Sequence, residues 1–477
     1  MNVPLLIVIA YICCLVAISF YAIKLVKNDA VGFLLAGRSW PWYMVAFMLT
    51  GLAIGGASTL GCAQMAFESG LAAGWYDVAW GFGALLMGIF GASQWRKMGV
   101  STVPEMLGMY YTTSSRVIGV ILQFMIVMTI TCLQFVAGGA LLSAMLPGYF
   151  SLFTGMLLTA IIFVGIAILG GLWAGGLANL ANVVVIWVGV TVGMVACWSL
   201  AGGTEAIISR LPRELDYFSV LEGLGWGVLV GWFIVMAIQS FTVQGVVQVG
   251  LAAKSPGHAK WGFIVGAILM APLGFFSAYI GIAAKSLYPD IASVKALPTI
   301  IMNTHPVIAG LTLSGLWAAD ISTGVALLIS SATLIERDIY EWSMERRGLK
   351  VPPERAFKIS RALVLVLGLL GFILALKATS ILNVLLTGLT LCAPFTIIFL
   401  FTVYLPGFCK KDAAFWTILV GGLIVFLWIF WPDIRVFPHA IYLEWLITLP
   451  LFMILCAVFK DPILHQKQNV QSLHMRR

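Results

Sequence analysis

Charge is what this sequence most plainly lacks. Asp, Glu, Lys and Arg make up 10% of its 477 residues, while 61% are hydrophobic. Soluble domains carry about 25% charged residues. With a mean hydropathy of +1.03, the chain could not stay dissolved as a globule, which sets aside soluble enzymes, nucleic-acid binders and disordered scaffolds. Histidine is scarce: the five lie at 258, 305, 439, 465 and 474, in loops, at span ends or in the tail, and none is paired at ligand spacing. A membrane enzyme would need a clustered acid/base or metal set, so that class loses its support. No GxxxxGK[ST] motif occurs, which removes direct ATP coupling and any nucleotide cofactor. The eight cysteines (13, 14, 62, 132, 197, 392, 409 and 456) form no CxxC or metal pattern and read as small packing residues. A membrane sensor needs a soluble output domain, and no linker here is long enough to separate one. A channel usually needs a symmetric pore or a charged ring, and none is legible.

What is present is a succession of long apolar runs. About 20 apolar residues span a bilayer as a helix. Charges and turn residues divide the chain into thirteen stretches, near 3–26, 42–67, 71–95, 116–146, 151–171, 177–200, 224–249, 261–284, 307–335, 359–376, 381–405, 413–431 and 441–459. They lack the alternation of barrel strands, so the fold expected is an all-α membrane protein. The first run, Val3 to Val26, has no basic segment before it and is expected to be a retained helix rather than a signal peptide.

The net charge of +8 is read as loop charge that sets orientation. With the N-terminus outside, 21 of the 27 Lys and Arg fall on the inner loops and tail, and 6 on the outer side. An error of one helix would scramble alternate loops and erase that asymmetry. The expected topology is N-terminus outside, C-terminus cytoplasmic, in the plasma membrane.

Two spans carry clustered glycine. The second contains Gly51, Gly55, Gly56 and Gly61. Each costs about 1 kcal/mol in a helix interior relative to Ala, and an unwound turn there would expose carbonyls able to coordinate a cation at the midplane. A close helix crossing explains the same glycines. The seventh span has Gly223, Gly225, Gly227 and Gly231, followed by Gln239, Ser240, Thr242, Gln244 and Gln248. Paired interruptions in corresponding positions of two halves point to a transporter site, with halves formed by spans 2–6 and 7–11. The ninth span runs Ala319-Asp320-Ile321-Ser322-Thr323. Its adjacent hydroxyls and the carbonyl one turn earlier make half of a small cation shell, although such hydroxyls also bond back to i−4 carbonyls. Asp320 adds an acid inside a span, a functional residue by default.

These segments resemble the sodium:solute symporter family, whose fold is a LeuT-like inverted repeat of five helices. The resemblance rests on Phe33-Leu34-Leu35-Ala36-Gly37-Arg38, the Gly-rich second span ending in Ala66-Phe67-Glu68-Ser69-Gly70, and Gly170-Gly171-Leu172-Trp173. It also rests on Ala296-Leu297-Pro298 and on Ala319 through Tyr340, with its A-x-x-S-[ST] site and D-I-Y ending. It implies one transporter domain: residues 1–41 as first helix and loop, 42–200 and 224–405 as the two repeats, 413–459 as two final helices and 460–477 as a cytoplasmic tail. It implies Na+ as coupling ion, bound by carbonyls of Ala53, Gly56 and Ala319 and the hydroxyls of Ser322 and Thr323, and alternating-access uptake of a small polar organic solute such as an amino acid or organic acid. No organic cofactor and no nucleic-acid partner are expected. The sequence departs from the family in carrying Asn179 where an acid is frequent. It has Ala53 and Val243 where the choline-transporting branch, whose Q-x-x-x-Q spacing Gln244 and Gln248 resemble, places aromatics. Pocket candidates near the two breaks are Cys62, Gln64, Gln134, Phe135, Gln239, Phe241, Thr242 and Gln244. Asp320 leaves open a proton as the coupling ion.

Overall fold

The computed structural model describes residues 3–26, 29–377 and 381–463. Among these, helices are joined by short turns and the only β-pairing is two isolated bridges, Trp40 with Ala253 and Lys410 with Pro462. This follows from the solvent: in hydrocarbon every backbone N–H and C=O must be paired internally, which a helix does within one segment. The principal helices are α1 (Val3–Val26), α2 (Trp42–Ala53), α3 (Cys62–Ser69), α4 (Trp75–Leu86), α5 (Thr113–Met145), α6 (Leu152–Leu200), α7 (Gly225–Thr242) and α8 (Gln244–Leu251). They continue as α9 (Pro256–Met270), α10 (Leu273–Leu287), α11 (Pro306–Ile335), α12 (Pro353–Ala375), α13 (Ile381–Thr390), α14 (Ala393–Tyr404), α15 (Ala413–Phe430) and α16 (Ala440–Val458).

The expected count of thirteen separate spans is not what length and hydropathy return. Ten helices among the described residues are long and apolar enough to cross a membrane, or eleven when the bent pair that begins with α2 counts as one. The difference has a physical source in glycine. Stretches 151–171 and 177–200 both map onto Leu152–Leu200, whose 49 residues are long enough for two crossings. It kinks into two helices at Gly171, whose φ of 54° and ψ of −141° leave the helical region. A side chain there is ruled out twice, by the positive φ and because a Cβ would stand 2.3 Å from the carbonyl oxygen of Phe33. Stretches 42–67 and 71–95 likewise form one pair bent by 51° after Ala53. Most of the expected tail, from 464 onward, lies outside the described residues, as do Lys27 and residues 378–380.

Helix α11 is the centre of the bundle. Of the apolar window in its span 94% is buried, against 22% for α1, and it packs on α6, α5 and α1. Beyond its last turn, Asp338 is clamped by Arg116 at 2.8 Å and by the Thr102 hydroxyl at 2.6 Å, tying α11 to the start of α5. The seventh expected span is broken, but not at its glycines: Gly227 and Gly231 lie inside the continuous α7, and Val243, with φ −64° and ψ 123°, separates α7 from α8. A second discontinuity at Leu391 and Cys392 divides α13 from α14.

Candidate functional site

Helix α2 unwinds after Ala53, and the groups freed by the break show what holds it open. A continuous helix would pair the Gly51 carbonyl with the amide of residue 55, and the Gly56 amide with the carbonyl of Leu52. Here the Thr323 hydroxyl lies 2.8 Å from the Gly51 carbonyl, and the Asp320 carboxylate accepts from the Gly56 amide at 3.3 Å. One turn of α11 therefore holds both ends of the interruption. The Thr323 hydroxyl also lies 2.9 Å from the Ala319 carbonyl, to which Ser322 donates at 2.9 Å. Ser322 alone shows the ordinary back-bond of a membrane helix. Thr323 does more, because its single proton faces carbonyls on two helices. The result is a knot of oxygens with fewer protons than acceptors, the donor set that suits a small hard cation.

Of the five residues implied as Na+ ligands, Ala319, Ser322 and Thr323 share that turn, and Ala53 and Thr323 line one cavity. Gly55 stands so close that a Cβ on it would sit 3.1 Å from the Thr323 hydroxyl. Gly56 is reached through Asp320. Asp320 is fully buried; one oxygen holds the Gly56 amide, and the other lies against the backbone of Gly138 of α5 outside hydrogen-bond geometry. Asn179, the position of the missing acid, is also at the break: a Cβ on Gly51 would lie 2.3 Å from its side-chain oxygen. Its amide nitrogen donates to the sulfur of Met48 at 3.1 Å, and it accepts from Asn182 at 3.3 Å. A neutral amide thus stands beside the Gly51 carbonyl where a carboxylate would bring charge.

The cavity beside the break has a volume of about 40 Å³. Ligand pockets are roughly 300–1,000 Å³, so a solute is accommodated only when the helices move apart. Its walls come from both interrupted segments: Ala53 and Gly55 on one side, Gln239, Val243 and Val246 on the other, with Gln134, Thr323, Tyr76, Trp80 and Leu389 closing it. Two of the sequence candidates are in the wall. The Gln134 amide nitrogen donates to the Ile130 carbonyl at 3.1 Å while its oxygen has no partner, and Gln239 has only a 3.7 Å contact to the sulfur of Met236. Buried amides left this underused cost free energy until something pairs with them.

The other candidates stand elsewhere. Phe135 points into an aromatic cluster with Phe163 (4.3 Å) and Phe372 (5.8 Å), away from the break. Phe241 packs on Phe399, and its carbonyl accepts from Trp95. Thr242 bonds to Thr396 at 2.9 Å. Gln64 is half-buried on α3, and Cys62 lies beside Asp77 and Tyr76. Gln244 is engaged at both ends of its amide, accepting from the Val103 amide at 2.9 Å and donating to the Ser101 carbonyl at 3.1 Å. It fastens α8 to the loop before the helix at Val103–Tyr110 instead of facing the cavity. Gln248 continues the same seam to Leu34 and Thr333.

One buried acid close to the α2 break, outside the cavity lining, escaped the sequence reading. Asp77, between Tyr76 and Trp80 on α4, is buried and accepts from the Ser58 hydroxyl at 2.7 Å, and its second oxygen has no hydrogen-bond partner. The signal was available: an acid inside an apolar run, the same cost that marked Asp320. Among the described residues no group of three or more His, Cys, Asp or Glu could hold a metal.

Two interrupted helices facing one small cavity inside a bundle of apolar helices define a secondary transporter. A model of the sodium:solute symporter family matches residues 33–421, and the chain belongs to that family. It is 24% identical over 471 residues to sodium/glucose cotransporter 4 of Danio rerio, a match covering 88% of this chain and 70% of that one. To sodium/myo-inositol cotransporter 2 of Mus musculus it is 24% identical over 385 residues, covering 70% of this chain and 56% of that one. Among solved structures, a Na+-coupled sialic acid symporter in a substrate-bound outward-open state aligns with a TM-score of 0.82 at 17% identity, over 97% of this chain and 99% of that one. A nucleobase-cation-symport-1 family transporter in a closed conformation aligns at 0.63 and 15% identity, over 92% and 97%. The fold is the LeuT-like transporter fold. The protein is an integral-membrane, sodium-coupled solute transporter and not an enzyme.

The tightest contact at the break yields a test. A Cβ on Gly56 would stand 2.2 Å from the Cβ of Ala137, closer than packed atoms allow. Gly56→Ala should abolish transport with the protein still in the membrane, and adding Ala137→Gly should restore at least part of it. Uptake into cells at matched surface abundance measures both. Full activity in the single variant would mean that the close approach is unimportant.

Proposed function

We propose that this transporter couples inward movement of Na+, bound by the carbonyls of Ala53, Gly56 and Ala319 and the hydroxyls of Ser322 and Thr323, to uptake of a neutral, hydroxyl-rich small solute. The observation that carries the ion assignment is the Thr323 hydroxyl, which bridges carbonyls on α2 and α11. A cation there would replace hydroxyl protons as the partner of those oxygens and would draw the two helices together. Asp320 keeps the start of the second half-helix in place by accepting from Gly56, and its negative charge near the ion favours cation binding. Acting as an acceptor for a backbone amide fits a carboxylate that positions the break better than one that carries a proton.

The solute class follows from what is left unpaired. Gln134 offers a free carbonyl oxygen and Gln239 a nearly free amide, with the rings of Tyr76 and Trp80 in the same wall. Amides accept from and donate to hydroxyls, and rings pack against the C–H faces of a cyclic polyol. Two relatives named for glucose and myo-inositol cotransport support this reading. Alternating access then has a simple driving element: Thr323 and Ala53 belong to both the ion set and the cavity wall, so each ligand stabilises the closed arrangement that the other needs. We further propose that the N-terminus is outside and the C-terminus cytoplasmic in the plasma membrane, from the distribution of Lys and Arg.

For the ion, Ser322→Ala and Thr323→Val should each weaken apparent Na+ affinity by about tenfold or more, the effect of about 1–3 kcal/mol from one lost ligand, with solute affinity at saturating Na+ changed less. An unaltered Na+ dependence of uptake in both variants would place the ion elsewhere. For the solute, Gln239→Leu should raise the half-saturation for a transported sugar or polyol by about tenfold while Na+ affinity holds; unchanged uptake kinetics across a panel of such solutes would remove Gln239 from recognition. For orientation, cysteines introduced at the exposed positions Arg213 and Arg347, in a background without the exposed Cys13 and Cys14, should be labelled from outside at 213 only. The reverse pattern would invert the topology.

A further inference from the structure

Glu444 is a buried acid that neither the ion set nor the solute cavity uses and, unlike Glu336 and Asp338, it has no arginine in ion-pair contact among the described residues. It lies on the second turn of α16 with no exposed surface, and neither carboxylate oxygen has a hydrogen-bond partner among the described residues. Room for it is made by a glycine on the facing helix: a Cβ on Gly421 of α15 would stand 3.2 Å from Oε1. The carboxyl faces Thr390 and Cys392, the two sides of the turn between α13 and α14. Thr390 is a weak partner, because its hydroxyl donates to the Thr387 carbonyl at 2.7 Å.

No counter-charge is at hand. The helices packed on α16 are α7, α13, α14 and α15. Helices α7, α13 and α15 carry no titratable side chain. Helix α14 has Cys392 at its head and Tyr404 at its far end. On α16 itself Tyr442 donates to the Gly227 carbonyl at 2.5 Å. His439, the capping residue, is pushed down by burial to about 4, so it carries no charge at neutral pH. A carboxylate this isolated in an apolar bundle must be neutralised. A metal cation would need several oxygen ligands, and the carboxyl has only Thr390 beside it. A proton needs none.

The turn that Glu444 faces is part of the transport machinery. Leu389, next to Thr390, lines the central cavity, as does Val243 at the α7–α8 break. The Thr242 hydroxyl lies 3.3 Å from the Cys392 carbonyl and 2.9 Å from the Thr396 hydroxyl, and Thr396 donates to the Ile238 carbonyl at 2.7 Å. These bonds lace the α13–α14 turn to the broken seventh span. We propose that Glu444 is a proton-binding site behind the cavity wall, whose loading is linked to the position of the α13–α14 turn. With the turn closed, the carboxylate takes a proton from water and forms one O–H bond; when the turn opens, the proton returns to water. The link to transport rests on the function proposed above, whereas the proton site itself does not.

The experiment uses the full-length protein in phosphatidylcholine vesicles and two probes. Dicyclohexylcarbodiimide, which reacts with protonated carboxyl groups in apolar surroundings to leave an N-acylurea, is applied from pH 5.5 to 8.5 and its adducts are mapped by mass spectrometry. An adduct on Glu444 that falls by about tenfold per pH unit above its midpoint, as one titrating group requires, is the expected result. Radioactive Na+ binding is then measured over the same range. Wild-type affinity should change by at least about fivefold, the lower end of usual site-to-site coupling, and Glu444→Gln should reduce that change to less than about twofold. Absence of any Glu444 adduct while other carboxyl groups react would overturn the proton site, also if Glu444→Gln fails to fold. Identical pH dependence of Na+ binding in wild type and Glu444→Gln would overturn the linkage. If wild type binds no Na+ at any pH, the sodium reading fails, and the adduct still decides the proton site by itself.

Discussion

Everything in the site depends on pairing two backbone groups that the α2 break releases. Within hydrocarbon an unpaired carbonyl or amide costs several kcal/mol, so a helix is interrupted there only where another element supplies partners. Helix α11 supplies both, with Thr323 for the Gly51 carbonyl and Asp320 for the Gly56 amide. This explains why the most enclosed helix of the bundle carries an acid and a hydroxyl on one turn. It also explains why the break adjoins small residues, since Gly56 meets Ala137 and Gly51 meets Asn179 at distances no larger side chain tolerates.

That same arrangement makes ion and solute interdependent. In this structure the partners of the break are protein groups, and under the proposed ion assignment Thr323 would give up a bond to a carbonyl when a cation arrives. The cavity sharing that wall is contracted to about 40 Å³, so the solute can enter only through a rearrangement of the helices that also form the ion set. Coupling then needs no long pathway: two ligands act on one bistable element. Arg116 and Thr102, clamping Asp338 at the far end of the α11 span, fix the helix against which the moving parts work.

The glycines at 51, 55 and 56, the hydroxyls at 322 and 323 and the acid at 320 were legible because each violates what a plain membrane helix prefers. Asp77 is costly in the same way, but it stands three residues past a turn glycine with no hydroxyl pair beside it in the chain, so its partner Ser58 is visible only in three dimensions. Gln244 misled for the converse reason. Its amide inside a span has the composition of a ligand group, but an amide that holds α8 to Ser101 and Val103 looks identical in one dimension. Length and hydropathy leave the span count open at Gly171 and Gly70, where a single glycine with positive φ separates helices that a window of apolar residues takes together.

Composition alone determined the solvent of this protein, and with it the all-helical architecture, because backbone pairing in lipid leaves no other choice for these runs. Glycine clustering marked the α2 interruption, since the cost of glycine in a helix is local, whereas the break at Val243 stands apart from the glycines of α7. Which polar side chains face the cavity, and which merely bind helix to helix, only the tertiary structure decided. Gln134 and Gln239 line the cavity, while Gln244 and Phe135 do not. The distinction lies in whether a partner from a distant segment satisfies the group, and partners such as Ser101 for Gln244, or Gly51 for Thr323, stand more than a hundred residues away in the chain.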